Sequence, residues 1–167
     1  MKHLLALFTF GLSFGTSLLA QSGLNTDRQI FLNLHNQARE EVGIAPLVWS
    51  DDLAAYAQEW ADHLAANGCD LQHRNGGSYG ENIYWGSHFD EAAAQHAVES
   101  WLSEQSAYRG EKFTSRTASR CGHYTQIVWE KSTQLGCGVA RCSDGGVIVI
   151  CNYDPSGNYL GEYPYGH

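Results

Sequence analysis

The chain has 167 residues, 43% of them hydrophobic and 17% charged, and a formal net charge of −8. That length suits one domain around one buried core. An acidic chain without a Lys/Arg cluster argues against nucleic acid or an anionic membrane surface as partner, because neutralising phosphate supplies most of the affinity there.

Residues 1–20 read as a secretory signal peptide. Lys2 and His3 give a weakly basic start, residues 4–12 an apolar run, and Ala20 a small residue before the cut; Leu18 leaves the cut position open. The run is broken by Ser13, Gly15 and Ser17, so it falls short of the about 20 apolar residues of a membrane span. Residues 21–167 form the exported domain, expected to be extracellular and monomeric. All five cysteines, Cys69, Cys121, Cys137, Cys142 and Cys151, lie in it. In an oxidising compartment they read as a disulfide framework of odd count, whose connectivity the sequence leaves open.

In chain order, Thr26 and Gln29 have the spacing of a helical capping box. Phe31, Leu34, Ala38 and Val42 continue that helix to a stop at Gly43. A second helix opens at Ser50 with Asp51 and Asp52 in its first turn. It carries the stripe Leu53, Tyr56, Ala57, Trp60 and Leu64 and ends at Asn67-Gly68. A third begins near Asp90 and carries Ala94, Ala97, Val98, Trp101 and Tyr108. Strands are expected at 45–49, 125–129, 134–141 and 147–153. Helices early, strands late and no βαβ alternation give an α+β fold with an antiparallel sheet.

The segment Gly122-His123-Tyr124-Thr125-Gln126-Ile127-Val128-Trp129 alternates like a strand, and Cys151-Asn152-Tyr153-Asp154-Pro155 breaks at a turn. With His35-Asn36-Gln37-Ala38-Arg39 and Gly80-Glu81-Asn82-Ile83, these motifs resemble, in order, those of the CAP superfamily: cysteine-rich secretory proteins, antigen 5 and plant pathogenesis-related 1 proteins. The resemblance implies a three-layer α-β-α sandwich and, from plant members, disulfides Cys69–Cys142 and Cys137–Cys151. It gives Cys121 no partner, leaving it either buried and inert or a free thiol able to form a dimer.

The resemblance also implies a cleft where His73, Glu81, Glu104 and His123 hold Zn²⁺ or another divalent cation that folding does not require. Imidazole and carboxylate suit such an ion; the bland alternative is a buried His–Glu network. Gln126 is expected to line the cleft and Tyr124 to lie in the core. Asn36 and Arg39, one turn apart, read as structural ties, and His63, His88 and His96 receive no role. No Gly-x-Ser-x-Gly nucleophile motif occurs, no catalytic residue is assigned, and a Cys121–His123 pairing is geometrically open only in a strand. The tail, 155–165, reads as a terminal turn packed by Tyr159, Tyr163 and Tyr165, against the releasable peptide of plant members. The function implied is binding rather than catalysis, with a sterol or fatty acid, or an extracellular protein, as partner. A zinc-dependent hydrolase in the same cleft is the alternative.

Overall fold

A computed structural model describes residues 15–166, with side chains from Thr26 onward. Most of the expected signal segment therefore lies outside the described residues. Helix α1 runs Gly15–Glu41, so the start expected at Thr26 is overrun. Within that helix the Gln29 amide donates to Asn33 one turn on, at 2.8 Å. The stop is where Gly43 puts it, at φ +75°, with its N–H on the Glu40 carbonyl. A two-residue strand β1, Val48–Trp49, is all that forms of the strand expected at 45–49.

Helix α2, Asp51–Ala66, starts at the predicted Ser50, whose hydroxyl accepts the Leu53 N–H. Strand β2, Gly80–Gly86, was not among the expected strands. Helix α3, Ala93–Leu102, begins later than expected and tightens into a 3₁₀ turn, Ser103–Ala107, before reaching Tyr108. Helix α4, Ser115–Ile127, is followed by β3, Gln134–Arg141, and β4, Val147–Asp154, close to their predicted bounds.

The sheet order is β1-β3-β4-β2. The three long strands are antiparallel, and β1 adds to β3 in parallel, which makes the sheet mixed. Strand β4 is buried on both faces and sorts its side chains by parity. Val147, Val149, Cys151 and Tyr153 join the core shared with α1, α3 and α4, and Ile148 and Ile150 join Ala57, Ala61 and Leu64 of α2. Those two cores separate three layers, the expected α+β sandwich. Glycine is required where α2 lies on β3: a Cβ at Gly138 would meet the Gln58 backbone at 2.5 Å, and one at Gly136 would press on Leu53 and Ala54.

Residues 122–129 correct the sequence reading. They form the end of a helix and the turn after it, with no strand. Alternation lost to tertiary capping. The helix breaks at Cys121 (φ −154°, ψ 33°), and the Glu104 carboxylate caps the new start by accepting the N–H groups of His123 and Tyr124 at 2.9 and 3.1 Å. At the far end Arg39 takes the carbonyls of Ile127 and Trp129. Helical spacing then buries Tyr124, Ile127 and Val128 together.

Both expected disulfides form, with Cα–Cα distances of 6.0 Å for Cys69–Cys142 and 4.1 Å for Cys137–Cys151. The tail is a packed terminal turn. Phe113 N–H donates to the Glu162 carbonyl and Glu130 N–H to that of Pro164, both at 2.7 Å, and the Tyr165 ring lies 5.9 Å from Tyr108.

Candidate functional site

The tetrad residues come together as two His–Glu pairs. His73 Nδ1 lies 2.7 Å from Glu81 Oε1, which also accepts the Arg74 N–H at 3.1 Å. His123 Nδ1 lies 2.7 Å from Glu104 Oε1, while Oε2 of that carboxylate caps α4. Glu104 follows Trp101 by three residues, and both reach His123; the indole stacks on the imidazole at 6.1 Å.

The carboxylates fix the tautomers. A carboxylate accepts, so each Nδ1 carries its hydrogen and each neutral ring leaves a lone pair on Nε2. The Glu81 bond, aided by that carboxylate's charge and opposed by burial, raises the pKa of His73. The His side chains are 70% and 39% exposed, and their carboxylates 9% and 24%, so each imidazole lies further outward than the carboxylate that supports it. This is the arrangement in which an outer carboxylate orients a metal-ligating histidine. Among the described residues, no three His, Cys, Asp or Glu side chains gather around one point as a ligand cage. Each pair instead leaves one imidazole Nε2 as its outward ligand atom, with Glu81 and Glu104 engaged in orienting the rings.

A buried relay holds the two pairs in register. Asn82, beside Glu81, donates to the His123 carbonyl at 3.1 Å and to the Tyr153 hydroxyl at 3.0 Å. His35 Nδ1–H donates to the Phe31 carbonyl, so its Nε2 accepts the Tyr153 hydroxyl hydrogen at 2.8 Å. Asn158 donates to the Gly122 carbonyl and accepts from Thr125.

This relay has a pH signature. His35 is fully buried, and burial, with Arg39 nearby, lowers its pKa from 6.5 to about 4. Between those values the unfolded chain binds the proton and the folded chain does not. Stability from this group is thus complete above the unfolded pKa and lost as pH falls through the window, by about 3 kcal/mol. Urea unfolding at pH 7.0 and 4.5 should show His35→Gln losing much less stability on acidification than wild type. Equal acid losses would contradict the assignment.

Beside His73 and Glu81 lies a cavity of about 390 Å³. Gln126 and Asn152 are in its lining, both almost fully buried. Gln126 accepts the Gly157 N–H at 3.0 Å, and a Cβ at Gly80 would strike its Oε1.

The family scan matches the cysteine-rich secretory protein (CAP) family over residues 32–153. The chain belongs to that family. Its CAP domain is 49% identical over 138 residues to pathogenesis-related protein 1C of Nicotiana tabacum, covering 83% of this chain and 80% of that one. It is 45% identical over 150 residues to pathogenesis-related protein 1 of Arabidopsis thaliana, covering 89% of each. Among solved structures it resembles the crystal structure of NaASP2 with Zn²⁺, at 30% identity and TM-score 0.73, over 83% of this chain and 84% of that one.

Several CAP-domain residues were not assigned these roles from sequence. Asn82, Tyr153 and Asn158 hold the pairs in place, and Asn152 sits in the cavity floor. The available signal was asparagine inside two apolar strands, where its β propensity is poor. Asn36 was read as a tie and clasps Leu47 in both directions. Cys121 is fully buried and free, with burial raising its pKa, so the thiol stays protonated. The break in α4 removes the strand geometry that would have aligned it with His123.

Proposed function

We propose that this chain is a secreted, monomeric binding module of the defence-associated type, in which His73 and His123 hold one Zn²⁺-like ion at the cleft. The observation that carries this reading is the pair of outward imidazoles, each donating Nδ1–H to a supporting carboxylate at 2.7 Å. A relative crystallised with Zn²⁺ and relatives named pathogenesis-related support it. Secretion is supported by the apolar segment at 4–12 and by the disulfides, which suit an oxidising compartment. No helix among the described residues is long and apolar enough to cross a membrane.

The ion would supply a Lewis-acidic centre with open positions. The chain's own part is to orient two Nε2 lone pairs and to keep both carboxylates engaged. Glu104 engages both oxygens on the His123 imidazole and backbone N–H groups and Glu81 engages Oε1 twice, which disfavours Glu104 as the general base of a hydrolase and leaves only Glu81 Oε2 for that role. Zinc titration by calorimetry should give one site per chain, with His73→Ala and His123→Ala each weakening it at least tenfold. Unchanged affinity in both variants would make the pairs purely structural.

Sterol or fatty-acid carriage is a second reading. The cleft does not favour it, but a hollow of about 760 Å³ between α1 and the following turn has Ile44 and Pro46 in its wall. Titration with a fluorescent fatty acid and a fluorescent sterol decides it; absence of a saturable signal from both would rule out lipid carriage.

A further inference from the structure

The cavity beside His73 and Glu81 has a lining of unusual chemistry. Twelve residues form it, and none is Leu, Ile, Val, Met, Phe or Ala. Its apolar surface comes from tyrosines: Tyr56 and Tyr79 meet edge to face with centroids 5.1 Å apart. The Arg74 guanidinium lies 3.9 Å over the Tyr56 ring and bonds Glu59 at 2.9 Å, which leaves Tyr79 as the half-exposed aromatic wall. A lipid tail or an apolar peptide side chain has no aliphatic surface to pack against here. A sugar ring packs its C–H face on tyrosine and presents hydroxyls to planar polar side chains.

The lining also contains acceptors that need donors. Asn152 is 1% exposed and gives its amide N–H to the Gly80 carbonyl at 3.1 Å. Its Oδ1 is the one buried side-chain polar atom without a partner among the described residues. An unpaired buried acceptor costs about 1–3 kcal/mol, so a donor reaching the floor relieves it. Glu81 engages Oε1 twice, and none of its described hydrogen bonds uses Oε2. Arg74 is paired with Glu59 and Glu81 with His73, so the lining carries no unpaired charge to select a charged organic ligand. The volume, about 390 Å³, falls in the roughly 300–1,000 Å³ range of small-molecule clefts.

We propose that this cavity binds a neutral saccharide, one ring seated against Tyr79 with hydroxyls donating to Glu81 and, directly or across one water, to Asn152 Oδ1. A bridging water is nearly as good as a direct bond, and the polar floor gives it partners. Sugar binding here needs no metal, so it stands or falls separately from the zinc reading.

The test is an NMR titration of the full exported chain in EDTA. The probes are glucose, galactose, mannose, N-acetylglucosamine and the β-1,4-linked dimers of glucose and N-acetylglucosamine, with glucuronate, glucosamine and triglycine as charged and peptide controls. At least one neutral sugar should saturate, with amide shifts confined to 73–82, 152–158 and the neighbourhoods of Tyr56 and Gln126. Asn152→Leu and Tyr79→Ala should each weaken it at least tenfold. If Asn152→Leu does not fold, Tyr79→Ala at the rim decides. No saturable neutral sugar, shifts mapping elsewhere, binding by the controls alone, or wild-type affinity in a folded variant overturns the proposal. Zinc titration of the same samples without EDTA reads the metal site independently.

Discussion

Arg39→Met is expected to lower stability by roughly 3–5 kcal/mol, the largest loss of any single polar substitution in this fold. The guanidinium is 1% exposed and donates to the carbonyls of Ala45, Ile127, Trp129 and Ser132 at 2.7–3.0 Å. Burial pulls its pKa down to about 10, so it stays charged at neutral pH and is held by peptide dipoles. Methionine fills the volume and leaves those acceptors buried without donors, each costing about 1–3 kcal/mol before relaxation. Lysine restores the charge but not the planar fork, so Arg39→Lys should recover only part of the loss. At about 2–4 °C per kcal/mol for a domain of this size, the Met variant should melt about 10 °C lower. A fall below about 1 kcal/mol in urea unfolding would show that the carbonyls find water instead. Zinc affinity should drop with it, since Arg39 fixes the end of the helix that carries His123.

Gly138→Ala and Gly122→Ala make the same chemical change with opposite expected signs. At Gly138 the new methyl would sit 2.5 Å from Gln58 N and Cα and 2.8 Å from the Ala57 carbonyl carbon, all backbone atoms of a helix tied to the sheet. Gln58 donates to the Val139 carbonyl at 2.9 Å and accepts the Val139 N–H at 3.0 Å, so α2 cannot slide to make room. Overpacking of this kind costs about 3 kcal/mol. At Gly122 nothing beyond its chain neighbours and its own helix backbone lies within 4 Å of the added carbon, and alanine favours a helix over glycine by up to about 1 kcal/mol. Thermal melts of the two variants should move in opposite directions. A destabilised Gly122→Ala would mean that the break at Cys121 needs glycine's freedom after it.

Helix α2 and strands β3 and β4 were legible because one element carries a clean apolar stripe and the others long apolar or β-branched runs. The stretch 122–129 was not. Its two-residue alternation is real, but the caps that make it a helix come from Glu104 and Arg39, 19 and 88 positions away from the groups they hold. Strand β2 was missed for a related reason: Gly80 and Gly86 bound it, and Glu81 and Asn82 interrupt its apolar pattern. The tetrad shows no local spacing, so its residues were readable only through the family motifs. Their pairing, one carboxylate under each imidazole, needed coordinates.

Glu81 and Glu104 orient His73 and His123 so that both present Nε2. Long-range ¹H–¹⁵N NMR of the imidazoles in the metal-free protein, at a pH where both rings are neutral, tests that orientation most directly. Both rings should appear as the Nδ1–H tautomer, with Zn²⁺ then moving both Nε2 resonances together at one equivalent. Nε2–H tautomers, or imidazole signals indifferent to Zn²⁺, would contradict it.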